Sequence, residues 1–154
     1  MRNSFLAVLL CLVSAVTLAD EGKLDLQHQA FHEQSRQIRM DLADGATYSE
    51  ISADDRHRVI ELLDRIGRRL DRAGADSVDA LPEHHRVDIF NDQEQVNVIL
   101  TKASEDSRMI CRRERVTGTR RITNVCMTVA ERQRARDQGL EVLRSQPSPT
   151  MWGN

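Results

Sequence analysis

The chain has 154 residues, a length that fits one domain once terminal segments are set aside. Its 40% hydrophobic and 30% charged residues lie near the globular average, which excludes a wholly disordered chain. Only 3% of the residues are aromatic, so the core must be aliphatic and an aromatic ligand cage is not expected.

The N-terminus has the layout of a cleavable secretory signal over residues 1–19. Arg2 precedes the apolar stretch Phe5–Val16, which is shorter than the roughly 20 apolar residues that span a bilayer. Small residues then lead to an acidic one, which predicts cleavage between Ala19 and Asp20. We therefore expect a periplasmic or secreted protein without a transmembrane span in the mature chain.

The next segment reads as two amphipathic helices. The first is predicted over Asp25–Asp44, ending before Gly45. Its apolar face combines three- and four-residue steps: Leu24, His28, Phe31, Ser35, Ile38 and Leu42. Ser52 caps the second helix, which ends at Gly74. Its apolar stripe is Val59, Leu62, Leu63, Ile66 and Leu70.

A third helix is predicted over Glu83–Ala103, after Pro82 at a position that suits proline. Its apolar side contains Ile89, Val96, Leu100 and Ala103, with Phe90 nearby. Residues 96–100 can also be read as a strand, but the long polar run before them favours a helix.

Two strands, Met109–Val116 and Arg120–Val125, are predicted to form a β-hairpin around Gly118 and Thr119, with the hairpin unit at residues 108–126. Glycine first in a two-residue loop is typical of a type II′ turn, since glycine tolerates positive φ. Counting outwards from this loop places Cys111 opposite Cys126. Exported cysteines usually bridge, so we predict a structural disulfide; a redox-active pair would favour the C-x-x-C spacing.

Thr128 and Glu131 form a capping box that opens a fourth helix, Val129–Arg144, weakened by Gly139. We expect its apolar contacts to come from Val129, Leu140 and Leu143. The predicted fold is mainly α: a small bundle of three amphipathic helices with a disulfide-stapled β-hairpin and a C-terminal helix. The mature domain then covers residues 20–144, and residues 145–154, including Trp152, form a flexible tail.

The hairpin region is rich in arginine, with Arg112, Arg113, Arg115, Arg120 and Arg121 as candidates for binding an anion or a partner. The strand alternation predicts Arg113, Arg115 and Arg120 on one face and Arg112 and Arg121 on the other. Residues 20–104 carry 11 basic against 18 acidic side chains, a net of −7, whereas residues 105–154 carry 10 against 6, a net of +4. The cations can therefore bind a partner or pair with the acidic helices; aromatic residues for nucleic-acid stacking are absent from the hairpin.

His28 and His32 are four residues apart, a helical spacing that can chelate zinc or copper. They are weak metal candidates because no further ligands have an evident reason to converge on them. No nucleophile elbow, phosphate-binding loop or free thiol is found, and no carboxylate pair stands out. The sequence therefore favours a non-enzymatic protein without a cofactor.

Residues 106–132 contain the runs Cys111-Arg112-Arg113, Thr117-Gly118-Thr119 and Cys126-Met127-Thr128. This module resembles the C-terminal part of small secreted proteins of Gram-negative bacteria, the xanthomonad group in particular. The resemblance implies export to the periplasm and no particular activity.

The leading hypothesis is thus a periplasmic interaction protein whose basic hairpin binds an acidic protein or an envelope component. The alternatives are a metal-binding protein that uses His28 and His32, and a structural or stress-related envelope protein.

Overall fold

The computed structural model describes residues 23–26, 31–74, 78–115 and 117–145. The predicted signal segment, His28 and the predicted tail lie outside these residues. The elements in chain order are α1 (Phe31–Asp44), α2 (Ala53–Ala73), a 3-10 turn (Val78–Ala80), α3 (Glu83–Ser107), β1 (Met109–Arg115), β2 (Ile122–Thr128) and α4 (Val129–Ser145). The predicted fold class, a mainly helical protein with a disulfide-stapled hairpin, is confirmed.

Helices α1, α2 and α3 enclose one core, which is aliphatic apart from Phe31 and Tyr48, and α2 contributes most to it. All five residues of its predicted stripe are buried. The Ser52 hydroxyl accepts a hydrogen bond from Asp55 N–H at 3.0 Å, and Gly74 ends the helix in the left-handed region at φ 58°. Both predicted caps are therefore confirmed. Among the helices in the described part of the chain, none is long and apolar enough to cross a bilayer.

The segment 23–26 crosses the bundle as a strap outside the first helix, which corrects the predicted helix start at Asp25. The Leu24 N–H donates to Asn97 Oδ1 at 2.7 Å, and Asn97 Nδ2 donates to the Leu24 carbonyl at 3.0 Å. Gln34 makes the same two-way contact with the backbone of Asp25. These amide side chains satisfy backbone groups that a helix would otherwise pair, while Leu24 is buried.

Helix α3 continues to Ser107, four residues past the predicted end at Ala103, and residues 96–100 are helical as predicted. The predicted apolar side is buried together with one carboxylate that the pattern did not indicate, Asp92. Asp92 accepts hydrogen bonds from Arg65 at 3.2 Å and Arg69 at 2.6 Å. These two ion pairs join α2 to α3 across the edge of the core.

Strands β1 and β2 pair antiparallel with Cys111 opposite Cys126, so the predicted register and disulfide are confirmed. The bounds of the second strand were wrong: it covers Ile122–Thr128 instead of Arg120–Val125, and the ladder passes residue 126. Pairing reaches the start of α4 because Val129 N–H donates to the Arg108 carbonyl. Gly118 has a φ of 81°, the positive value that a glycine turn requires.

The capping box of α4 is confirmed, since Thr128 N–H donates to Glu131 Oε2 at 2.8 Å and Glu131 N–H donates to Thr128 Oγ1 at 3.0 Å. The predicted apolar contacts were wrong for Leu140 and Leu143, which are 51% and 67% exposed. No residue of α4 is fully buried, because only its first turns lie against the rest of the fold.

Gly139→Ala will stabilise α4 by about 0.5–1 kcal/mol, the helix-propensity difference between these residues. An added Cβ at Gly139 meets no atom within 4 Å. Circular dichroism and urea unfolding should show a gain in helicity and in stability. Gly67→Ala in α2 is the matched control, since its Cβ would lie 3.3 Å from the Phe31 ring and the gain there should be smaller. An unchanged or less stable Gly139→Ala protein would contradict the expectation.

Candidate functional site

The ladder pattern determines where the hairpin's backbone groups point. The Val129 N–H donates to the Arg108 carbonyl at 3.0 Å. Arg108 and Val129, the residues next to the last ladder pair Met109 and Thr128, are therefore a hydrogen-bonded pair. Bonded and non-bonded pairs alternate in an antiparallel ladder, which makes Cys111 and Cys126 a non-bonded pair. Their Cα atoms are 4.0 Å apart, the short spacing of such a pair. The backbone N–H and C=O groups of both cysteines therefore point away from the ladder.

Strand alternation divides the hairpin side chains into two faces. We define the disulfide face as Met109, Cys111, Arg113, Arg115, Ile122, Asn124 and Cys126, which are all exposed. Thr128, opposite Met109 at the base of the hairpin, shares this direction but is buried where it contacts Glu50. We define the helix face, opposite it, as Ile110, Arg112, Glu114, Thr123, Val125 and Met127. The helix face is the one turned towards the rest of the protein, because four of its residues are half-buried: Ile110, Thr123, Val125 and Met127.

Arg132 of α4 connects that helix to the helix face. Its guanidinium lies 3.7 Å from the Glu114 carboxylate and donates to the Ile110 carbonyl at 3.4 Å. The Arg132 side chain is only 15% exposed. This contact pairs the one acidic side chain of the hairpin, Glu114, with a cation from α4.

Glu50, in the loop between α1 and α2, anchors the hairpin and α4 to the bundle. Its carboxylate accepts hydrogen bonds from Thr128 Oγ1 at 2.7 Å and from Arg134 at 2.8 Å. Its backbone N–H donates to Ser107 Oγ at the end of α3. The hydrogen bond from Arg134, followed by that from Thr128, lowers the pKa of Glu50 below its ordinary value of 4.5.

This anchor should weaken in acid. Because the folded pKa of Glu50 is depressed, its contribution to stability is fully present above about pH 4.5 and is lost as pH falls through the folded value. Melting curves of wild type and Glu50→Gln should differ at neutral pH and converge at low pH. Glu83→Gln, at an exposed helix start, serves as the control. A constant difference between wild type and Glu50→Gln at all pH values would contradict this assignment.

All five candidate arginines are exposed. Arg113 and Arg115 lie on the disulfide face and Arg112 on the helix face, as the alternation predicts, whereas Arg120 and Arg121 lie beyond the ladder at the turn. None of the five guanidinium groups makes an ion pair or hydrogen bond with any residue in the described ranges. Within the described part of the chain, these five arginines therefore do not pair with the acidic helices.

Arginines elsewhere show the contrasting behaviour. Those with a carboxylate partner are Arg36, Arg39, Arg65, Arg69, Arg86, Arg108, Arg132, Arg134 and Arg144. Neutralised arginines thus occur on the helices and at the base of the hairpin. Among the described residues, cations without a carboxylate partner also occur singly on the helices, at Arg56, Arg58, Arg68, Arg72, Lys102 and Arg136. The hairpin differs in density, because residues 112–121 carry five arginines and Glu114 is the single acidic residue among them.

The predicted metal pair cannot be assembled from the described residues. His28 lies outside them, and His32 Nε2 lies 3.6 Å from the Asp71 carboxylate on the exposed surface. Across the ranges that the structure describes, no group of three or more His, Cys, Asp or Glu side chains is arranged to hold a metal ion. His32 therefore contacts Asp71 at the surface between α1 and α2.

Glu50, Asp92, Arg132 and Arg134 are the functional or structural residues that the sequence did not single out. Asp92 had a usable signal, since it lies three residues after Ile89 and four before Val96 on the buried side of α3. Glu50 had no such signal, because its partners lie 78 and 84 residues away along the chain.

Comparisons with protein-family models, with curated proteins and with solved structures find no significant match.

Proposed function

We propose that this is an exported, non-enzymatic binding protein whose arginine-rich hairpin takes an acidic protein partner. The observation that carries the proposal is the set of five exposed guanidinium groups without a partner among the described residues. Export is supported by the signal-like residues 1–19 and by the Cys111–Cys126 bridge, which suits an oxidising compartment. The resemblance of residues 106–132 to secreted Gram-negative proteins points to the periplasm.

The hairpin suits recognition because its shape is set before the partner arrives. The disulfide closes its middle and the contacts of Glu50 hold its base. Binding to a preformed element loses less conformational entropy than binding to a flexible loop. Five cations on such an element attract an acidic partner and discriminate against basic ones.

The direct test measures fluorescence anisotropy of a fluorescein-labelled oligoglutamate. The test variant changes Arg112, Arg113, Arg115, Arg120 and Arg121 to Ser. The control variant removes the same charge from the bundle by changing Arg36, Arg58, Arg68, Arg72 and Lys102 to Ser. We expect the hairpin variant to lose about tenfold or more in affinity, and the control to stay within about twofold of wild type.

Three outcomes would overturn the proposal. One is the absence of oligoglutamate binding by the wild type, and another is an equal loss in the two variants. A third is binding to phosphatidylglycerol vesicles without binding to oligoglutamate, which would make the ligand a lipid surface. Raising the salt concentration should weaken genuine binding, because exposed charges are screened.

A further inference from the structure

The hairpin is a sheet of two strands, so each strand has one edge without a neighbour in the described structure. The ladder pattern identifies the outward-pointing backbone groups as those of the non-bonded pairs. On β1 they belong to Met109, Cys111, Arg113 and Arg115. On β2 they belong to Ile122, Asn124, Cys126 and Thr128. Unpaired backbone groups along an edge are a template for another strand.

The two edges differ in how open they are. On β2 the outward N–H of Thr128 is already taken by the Glu131 carboxylate of the capping box, at 2.8 Å. On β1, no hydrogen bond from a described residue reaches the outward groups of residues 109, 111, 113 and 115. Arg132 contacts the Ile110 carbonyl, which belongs to a bonded pair and faces β2. The β1 edge is therefore the open one over its whole length.

The open edge also carries charge at a fixed spacing. Arg113 and Arg115 sit on it two residues apart, both on the disulfide face, both exposed and unpaired. Residues of an added strand lie directly opposite such positions with Cβ atoms roughly 4.5–5.5 Å apart. Carboxylates at alternate positions of an added strand would thus each face one guanidinium.

The charge of the β1 edge makes a second copy of this chain a poor occupant of that edge. Each β1 strand carries three arginines against one glutamate, so pairing two of them would bring net positive charge together. Charged edge strands are a common defence against this kind of self-association. The complementary occupant is acidic, and the row of backbone donors and acceptors can be matched only by an extended polypeptide.

We propose that the open edge of β1 binds an extended acidic segment of a partner protein by antiparallel strand addition, with carboxylates at alternate positions facing Arg113 and Arg115. This deepens the proposed function and rests on it, because it specifies how the acidic partner is held. Main-chain hydrogen bonds would supply affinity, and the alternation of the partner's side chains would supply specificity.

The probe is the labelled peptide Thr-Val-Glu-Val-Glu-Val-Thr, which has two glutamates at alternate positions. In antiparallel addition, residues opposite Arg113 and Arg115 direct their own N–H groups at β1. N-methylation of the two glutamates removes these donors and keeps the charge. N-methylation of the first and third valines, whose N–H groups point away from β1, is the matched control. We expect the first change to weaken binding about tenfold or more and the second by less than about threefold.

A pair of protein variants tests the position of the site with equal changes in charge. Arg113→Ser with Arg115→Ser should weaken binding of the peptide about tenfold, whereas Arg120→Ser with Arg121→Ser, at the turn, should weaken it less than about threefold. Hydrogen exchange should show new protection of the Cys111, Arg113 and Arg115 amides when the peptide is bound, with less change along β2.

The outcomes separate this proposal from the one on which it rests. If both N-methylated peptides bind as well as the unmodified one and no β1 amide becomes protected, strand addition is wrong while the acidic-partner function stands. If neither this peptide nor oligoglutamate binds, the function itself fails. Self-association of the wild-type protein through β1, detected by sedimentation and abolished by the peptide, would assign the edge to a second copy and overturn the proposed occupant.

Discussion

Changing Cys111 and Cys126 together to serine will destabilise the hairpin by about 3 kcal/mol, the chain-entropy value for a bridge closing a loop of about 15 residues. The effect is large for this element because few of its side chains are buried. Six of the seven β1 residues are exposed, and a lone two-stranded hairpin is marginal in water. Amide exchange along β1 and β2 should then accelerate roughly a hundredfold.

The α2 amides provide the internal control, because their protection depends on the aliphatic core and not on the disulfide. Wild-type protein treated with a reductant should behave like the double serine variant, which separates loss of the bridge from any effect of the new hydroxyl groups. Unchanged exchange in both samples would show that packing on the helix face, not sulfur, holds the hairpin. The acidic peptide should bind more weakly to the variant, since the edge would no longer be preformed.

Asp92→Ala will lower the free energy of unfolding by about 2 kcal/mol, because it leaves Arg65 without a carboxylate partner and Arg69 with only the exposed Asp88. The Asp92 side chain is 5% exposed, while Arg65 and Arg69 are 36% and 24% exposed. The carboxylate is therefore the member of the group most removed from water. Urea unfolding with a constant m-value measures the change.

Asp88→Ala is the matched control for Asp92→Ala. Asp88 belongs to the same helix and lies 3.4 Å from the same Arg69, but its side chain is 54% exposed. An exposed ion pair contributes about 0–1 kcal/mol, so this variant should remain close to wild type. Equal losses in the two variants would mean that burial of Asp92 does not govern its contribution.

The parts of the fold that follow from local chemistry were predictable. Ser52 and Gly74 bounded α2 correctly because a cap depends on residues within a turn of itself. The disulfide register was predicted by counting outwards from the turn residues Gly118 and Thr119, and the observed pairing has Cys111 opposite Cys126 although the ladder stops at Arg115 and Ile122. The hydrophobic stripes of α2 and α3 were buried as predicted because the helical period alone defines a face.

The structural predictions were wrong where contacts with residues far along the chain determine the local structure. Asp25 left the predicted helix because a glutamine side chain takes its backbone groups, and Leu24 is held by an asparagine 73 residues away. Leu140 and Leu143 have helical spacing, but both are exposed, because among the described residues only the first turns of α4 lie against the rest of the fold.

For the candidate site, the sequence identified the cations, and strand alternation predicted the faces of Arg112, Arg113 and Arg115. The predicted faces of Arg120 and Arg121 were wrong, since both lie beyond the ladder. Whether the five arginines would be paired depended on how the hairpin sits on the bundle, and that is set by Glu50 and its remote partners Thr128 and Arg134. No local pattern in the sequence contains that information.

The strap at residues 23–26 has a consequence for the order in which the domain can assemble. In a chain that emerges N-terminus first, Leu24 appears long before Asn97, whose side chain hydrogen-bonds to the Leu24 backbone. Glu50 likewise appears long before its partners Thr128 and Arg134. Helices α1 and α2 can pair early, the strap can close once α3 is free, and the hairpin is anchored only when the chain is free through Arg134. On the proposed export route, translocation and folding should therefore be sequential, with the anchor between bundle and hairpin completed only after Arg134 has been released.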